Sequence, residues 1–400
     1  MSGRRHGAAL LLAVLASLLL AVPAGAVEGR SWAVIDARTG DVLTSHAGNE
    51  KLPIASTTKL MTAYVAMKEL PLDEIVRAEP YPAELGESLM GLREGERVSV
   101  RDLLYGLILL SGNDAAHTLA VAAAGSEERF VAQMNRYAAA LGLSHTHYAN
   151  PIGLDEEGNY SSALDLLALS RRLMREPAFA EIADTRSVLL RSLRPPRRIE
   201  TINELLEMAP WVTGVKTGHT YGAGYVLVGA GQRRGASLIS VVIGAPSDEA
   251  RYAGNLELLE AGFGQYRRRL PVRAGQDLAS PEIRYSGGEL PLRAERTLAV
   301  GARRGQQVEV QVRAPSEVEG PLRRGRRLGQ AAVFVDGRRV GAVALRAGRA
   351  VPEASAFDRA RSFLADKWLF VALGAFVILI SSAILWRRMA RGNEARREFG

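Results

Sequence analysis

Apolar and polar positions follow one another in an order that predicts a mixed fold. Residues 32–36 predict a strand, Arg38-Thr39-Gly40-Asp41 a turn and residues 42–45 the second arm of a hairpin. Residues 56–70 predict a helix whose broad apolar face carries Leu60, Met61, Tyr64, Val65 and Met67. Helical spacing continues over 102–110, 115–124, 129–141 and 162–174, after which 224–229 and 237–244 turn strand-like and 248–261 predicts a last helix. Strands at both ends of a helical middle predict an α/β fold for residues 27–270, a sheet layer with an inserted helical subdomain.

Residues 271–352 change character. Val308, Val310 and Val312 alternate with polar neighbours, and residues 332–335, Asp336-Gly337 and 338–345 carry a strong hairpin signal. A small all-β domain is expected here, followed by a stalk over 353–367 without clear apolar periodicity.

The two ends set the expected compartment. Arg4 and Arg5, an apolar run over 8–22, Pro23 and the small-residue site Ala24-Gly25-Ala26 make residues 1–26 a signal peptide. Residues 368–386 hold no charge, and as a helix they would span about 28 Å, close to the hydrocarbon thickness of a bilayer. Trp368 and Trp386 suit the two interfaces, and the basic tail 387–400, with Arg387, Arg388, Arg391, Arg396 and Arg397, is expected to stay cytoplasmic. The expectation is an exported protein, held in the cytoplasmic membrane by one C-terminal transmembrane helix with residues 27–352 outside.

Charge refines this picture. The net charge is +8, yet residues 27–270 carry 26 basic against 30 acidic side chains, while 271–352 carry 15 against 8. The largest segment is mildly acidic and exported, so no nucleic-acid partner is expected. The arginines of 271–352 suit solvated strand faces, or a surface held against anionic lipid or wall polymer. Cysteine is absent, which removes disulfides, thiol nucleophiles and cysteine-bound metal. Only five of the 51 basic residues are lysines: Lys51, Lys59, Lys68, Lys216 and Lys367.

That skew draws attention to Ser56-Thr57-Thr58-Lys59. A hydroxyl and an amine three residues apart at a helix start lie on one face, where the partial positive charge favours an alkoxide and disfavours an ammonium. A general base must be able to lose its proton, which lysine does and arginine does not. Taken alone, the pattern also fits a serine N-cap with a solvated lysine. Lys216-Thr217-Gly218 precedes a strand-like stretch, where glycine would let a substrate backbone approach closely, although an exposed strand-end lysine has the same appearance. Ser111-Gly112-Asn113 follows an apolar helix and fits equally a helix stop with a cap for the next helix. His145-Thr146-His147 lacks an obvious third ligand, and no metal is expected.

Together, in this order and separation, the three patterns closely resemble those of the serine D-alanyl-D-alanine carboxypeptidases, the low-molecular-mass penicillin-binding proteins. The likeness extends to Thr39-Gly40, Asn150-Pro151-x-Gly153-Leu154-Asp155, Tyr160-Ser161-Ser162-Ala163, Gly222-Ala223-Gly224-Tyr225, Arg251-Tyr252 and Leu258-Leu259-x-x-Gly262-Phe263, over roughly residues 30–270. The resemblance implies a β-lactamase- or transpeptidase-like fold with an antiparallel sheet, followed by the β domain and membrane anchor.

It also implies roles. Ser56 would be the acylated nucleophile and Lys59 its base, with the oxyanion between the backbone N–H groups of Ser56 and His219. Ser111 would relay a proton to the leaving amine, Asn113 would hold the substrate amide, and Lys216 would supply positive charge. Thr217, Gly218, His219 and Arg251, with Lys216, would bind the peptide and its terminal carboxylate. The implied reaction removes the C-terminal D-alanine from peptidoglycan stem pentapeptide through a serine acyl-enzyme, without cofactor, and β-lactams would acylate Ser56. Alternatives are a DD-endopeptidase, a transpeptidase, a β-lactamase or an inactive wall-binding scaffold. Glu156 and Glu157 lack asparagine four residues on, so the Glu-x-x-x-Asn pattern of class A β-lactamases is missing.

Overall fold

Two compact units emerge from the computed structural model, which describes residues 27–395. The expected signal peptide, 1–26, and the end of the basic tail, 396–400, lie outside the described residues. The first unit runs to Arg268 and includes Gly301–Arg304; the second comprises Arg269–Val300 and the chain from Gly305 onward.

In the first unit the sheet forms from both ends of the segment. Strands β1 (Ser31–Asp36) and β2 (Val42–His46) make the N-terminal hairpin, and two short two-stranded ribbons follow, β3 (Ile75–Arg77) with β4 (Arg97–Ser99) and β5 (Ser187–Leu190) with β6 (Arg197–Glu200). Strands β7 (Val212–Thr220), β8 (Gly224–Arg233) and β9 (Ala236–Ala245) complete an antiparallel sheet of order β2-β1-β9-β8-β7. β9 runs beside β1 in the register Ser31↔Ile243 to Asp36↔Leu238, so the chain returns across the whole helical insertion to close the sheet. β7 becomes an edge strand, with one row of backbone groups unpaired within the sheet.

Period-two alternation assigns the strand residues to two cores. Ile239, Val241 and Ile243 of β9 join the large core shared with the helical subdomain, while Leu238 and Val242 face Leu258, Leu259 and Phe263 on the other side. Those last three belong to a helix, Asp248–Gly264, longer than the expected 248–261. The helical subdomain contributes α1 (Lys59–Glu69), α2 (Val100–Leu109), α3 (Asn113–Ala124), α4 (Glu127–Ala140), α5 (Ala163–Leu173), α6 (Pro177–Ala183) and the single turn α7 (Leu205–Met208); Asp248–Gly264 is α8. Serine side chains cap α2, α4, α5 and α8: Ser99, Ser126, Ser162 and Ser247 each accept from the backbone N–H three residues on, an arrangement worth about 1 kcal/mol apiece.

Two elements depart from expectation. The helix expected over 56–70 opens as a 3-10 turn, Ala55–Thr58, and is α-helical only from Lys59, because Thr57 N donates back to Ile54 O over three residues. β7 is a full strand where the pattern offered only a strand end at Lys216: Val-Thr-Gly-Val-Lys-Thr-Gly-His-Thr has weak strand character, and its extension comes from pairing with β8.

The second unit contains a five-stranded antiparallel sheet in the order Asp277–Ala279, Leu292–Ala294, Arg338–Ala347, Arg327–Val335, Val308–Arg313. Its hairpin turns at Asp336-Gly337, both with positive φ, as the tight two-residue turn requires. The stalk was expected to lack periodicity, yet it is helical from Ala356: α9 (Ala356–Ala395) starts behind Ser355, whose hydroxyl accepts from Asp358 N, and proceeds through good helix formers. The expected membrane span 368–386 lies in this helix, the side chains of Trp368, Leu369 and Val371 being outside the described residues. Among the described residues no helix is long and apolar enough to cross a membrane.

Leu103, fully buried on α2, should cost about 2–5 kcal/mol when replaced by alanine, whereas exposed Ile75→Ala should stay within about 0.5 kcal/mol. Denaturant midpoints of the two variants against the parent protein test this, and equal midpoints would contradict the core described above.

Candidate active site

Three segments meet at the Lys59 amine. The first turn of α1 brings Nζ to 3.0 Å from Ser56 Oγ, and α3 presents Asn113 Oδ1 at 2.6 Å. The third partner is the carbonyl of Ile152, also at 2.6 Å, from a loop that the sequence pattern marked only by its Asn-Pro-x-Gly. Lys59 is wholly buried, while Ser56 stays partly open to solvent. Burial pushes the amine down to about 7, against the upward pull of Glu87 and Asp114. A neutral amine in hydrogen-bond contact with a reachable hydroxyl can take its proton.

The 150–155 loop holds this geometry from below. Asn150 Oδ1 accepts from the Ile152 and Gly153 amides, and Thr62 of α1 donates to Pro151 O at 2.5 Å. Gly153 adopts φ +91, and a Cβ there would stand 2.1 Å from Ala55 O, so only glycine permits the loop to touch the turn carrying Ser56. Asp155 then accepts from Thr220 Oγ1 and Gly222 N, tying the loop to the β7–β8 turn.

β7 closes the other side. A Cβ on Gly218 would lie 2.9 Å from Ser56 N, so glycine lets the strand reach the nucleophile turn. The sequence reading expected this glycine to admit a substrate backbone; in the fold it also admits the Ser56 turn. Lys216 lies two residues earlier on the same face, is fully buried and donates to Thr217 O at 2.7 Å. Burial first, then the charges of Lys59 and Arg251, press its amine well below the ordinary lysine range.

Thr217 and His219 alternate to the opposite face, where the His219 ring stacks on Tyr225 with centroids 4.1 Å apart. Arg251 of α8 lies over Tyr225 and Tyr252, donates to Gly218 O at 2.9 Å and pairs with Asp248. The resemblance makes it a candidate, with Thr217 and His219, to hold the substrate carboxylate. The fold buries it against β7, where its bond to Gly218 O braces the strand and its charge acts on Lys216.

Ser111 is buried at the junction of α2 and α3 with φ +60, an uncommon conformation for a residue with a side chain. Asn113, two residues on, is already engaged at both ends, its Oδ1 by Lys59 and its Nδ2 by Glu87 Oε2 at 2.6 Å. Glu87 escaped the sequence reading, as did Asp114. Asp114 accepts from the amides of Met90, Gly91 and Leu92 and pins the preceding loop to the start of α3. Burial alone would raise the Glu87 carboxyl, but hydrogen bonds from Tyr81 and Asn113 outweigh it and hold it below the usual range. Nothing local in Leu85-Gly86-Glu87-Ser88 singles that carboxylate out.

His145 and His147 serve their own loop, through a contact of His145 Nδ1 with Ser144 and of His147 Nδ1 with Gly158 O at 2.7 Å. Among the described residues no group of three histidine, aspartate or glutamate side chains could hold a metal ion.

With five lysines in the chain, ¹³Cε labelling of lysine resolves the site directly. One resonance, absent in Lys59→Met, should titrate near pH 7; midpoints above 9 for all five would contradict the buried amine.

Sequence and structure comparisons bear on the family and the fold. The family model for D-alanyl-D-alanine carboxypeptidase, peptidase family S11, matches residues 20–247. D-alanyl-D-alanine carboxypeptidase DacC of Escherichia coli is 33% identical over 364 residues, 87% of this chain and 90% of that one. DacF of Bacillus subtilis is 31% identical over 320 residues, 78% of this chain and 82% of its own length. Penicillin-binding protein 6B from Escherichia coli superposes with a TM-score of 0.58 at 31% identity, covering 80% of this chain and 95% of that structure. Penicillin-binding protein 5 from Haemophilus influenzae gives 0.57 at 28% identity, covering 82% and 98%. With the family model matched over residues 20–247 and relatives 31% and 33% identical over most of both chains, this chain belongs to the D-alanyl-D-alanine carboxypeptidase family.

Proposed function

We propose that the chain is a serine-type D-alanyl-D-alanine carboxypeptidase acting on peptidoglycan stem pentapeptide, with Ser56 as nucleophile and Lys59 as base. The observation that carries this reading is the wholly buried Lys59 Nζ, 3.0 Å from Ser56 Oγ, with its proton affinity lowered to about 7. Lys59 takes the Ser56 proton as Oγ attacks the carbonyl carbon of the penultimate D-alanine. The negative charge then forms on the former carbonyl oxygen beside the Ser56 amide and the edge of β7, where the His219 amide completes the pair of donors. Collapse breaks the peptide bond, the leaving amine of D-alanine gains a proton, and the peptide remains as an ester on Ser56. Water cleaves that ester and returns the proton to Ser56.

Lys216 lies close enough to Lys59 that two ammonium groups there disfavour each other, and an incoming carboxylate would draw a proton onto the Lys216 amine. Ser111 is the candidate to pass a proton to the leaving amine, and Asn113 holds Lys59 in line. Thr217, with Gly218 and His219 of the edge strand, is the candidate to meet the terminal carboxylate, and Arg251 braces that strand through Gly218 O.

Ser56→Ala should abolish covalent labelling by a fluorescent penicillin and release of free D-alanine from the pentapeptide, with thermal stability retained. Lys59→Arg should lose at least about 100-fold in acylation, because the charge stays and the base is gone. In the parent protein the acylation rate should rise with pH through about 7, since only the neutral amine accepts the proton. Full acylation in Lys59→Arg would refute the base. Cleavage of a cross-linked dimer in place of the pentapeptide would identify an endopeptidase, and rapid turnover of the label a β-lactamase. Glu156 is bound to Asn150 Nδ2 at the loop surface, a position that favours neither alternative.

We further propose that residues 1–26 export the chain and that 368–386 hold it in the membrane with the catalytic unit outside. In α9, Phe376, Val377, Ile378, Leu379 and Ile380 are consecutive and all exposed, so every side of the helix presents apolar surface without a protein partner. Ser381 returns its hydroxyl to Val377 O at 2.8 Å, as an apolar surround demands. The full chain should stay in membranes washed at alkaline pH, and a chain ending at Glu353 should be released; retention of the shortened chain or release of the full one would refute the anchor.

A further inference from the structure

We propose that Glu87 is a positioning residue of the active site: its carboxylate fixes the orientation of the Asn113 amide and presents a negative charge to Lys59 through it. The inference rests on the carboxypeptidase reading above, in which Lys59 is the base.

The geometry is a continuous chain of hydrogen bonds. The Tyr81 hydroxyl donates to Glu87 Oε2 at 2.5 Å, Asn113 Nδ2 donates to the same oxygen at 2.6 Å, and Lys59 Nζ donates to Asn113 Oδ1 at 2.6 Å. A side-chain amide has one accepting and one donating end. An ionised carboxylate only accepts, so it holds the donating Nδ2 and leaves Oδ1 facing the amine. A half-turn of the amide would set oxygen against carboxylate and NH₂ against Lys59. Glu87 is thereby able to keep Lys59 pointed between Ser56 Oγ and Ile152 O, although it touches neither.

Other charged and titratable groups surround the pair. Lys59 faces Ser56 from its own turn, Asp114 from α3 and Lys216 from β7; Arg251 lies behind Lys216. Glu87 faces Tyr81 and accepts from the Glu84 amide, while Tyr81 lies against His117, itself bonded to Glu127. Asp114 is the second negative charge acting on Lys59, but its oxygens are taken by backbone amides. Glu87 alone joins charge to a direct hold on the Asn113 side chain.

The test is the pH dependence of initial acylation of the full chain in detergent by a fluorescent penicillin, for the parent, Glu87→Gln, Glu87→Asp and Glu87→Ala. Removing the negative charge makes protonated Lys59 less stable, so the acid limb in Glu87→Gln should move down by about one pH unit. Glu87→Asp keeps the charge and loses reach: its limb should stay near the parent's while the plateau rate falls severalfold. Glu87→Ala should show both effects, with a plateau at least about tenfold lower. An unmoved limb in Glu87→Gln, or a parental plateau in Glu87→Ala, overturns the proposal. Faster acylation in Glu87→Ala also overturns it, since the carboxylate would then be an obstacle to the substrate. A parent protein that penicillin does not acylate at any pH overturns the carboxypeptidase reading itself, and this inference with it.

Discussion

A lysine amine excluded from water is the constraint on which the rest depends. Desolvation disfavours the ammonium and leaves Lys59 able to accept a proton near neutrality. Burial without partners would be costly, so the fold supplies Ser56 Oγ, Asn113 Oδ1 and the Ile152 carbonyl. Each comes from a different segment, and each segment is pinned in turn: the 150–155 loop by Asn150 and Asp155, and the start of α3 by Asp114. The helical insertion between β2 and β7 is in this sense a scaffold for one nitrogen.

Positive charge is arranged with the same economy. The charges of Lys59 and Arg251 add to burial in disfavouring an ammonium at Lys216, while Glu87 and Asp114 favour one at Lys59. The Lys59 amine ends near 7 because burial outweighs the pull of the two carboxylates. Arg251 shows how location decides a role. The same guanidinium on an open surface would be an anion receptor; between Tyr225 and Tyr252, bonded to Gly218 O, it stiffens the strand that meets Ser56.

Hydrophobic spacing made α1 to α5, α8 and the central strands readable to within a few residues, because burial on one face leaves a periodic trace. β7 left no such trace: its glycines and threonines are extended only because β8 lies beside them. The start of α9 was also unmarked, since the described side chains of residues 356–362 are not buried and so need no periodic apolar positions.

The site divides in the same way. Residue types and spacing sufficed for Ser56 and Lys59, one helical turn apart, and their order with Ser111-Gly112-Asn113 and Lys216-Thr217-Gly218 marked the family. What joins them lies far away along the chain: Asn113 is 54 residues from Lys59, Ile152 is 93, and Glu87 stands 26 before Asn113. Covalent spacing determines which groups share a turn. Only tertiary packing decides which distant carbonyl, amide and carboxylate enclose the amine, and how far from water it sits, because proton affinity depends on surroundings that no local pattern encodes.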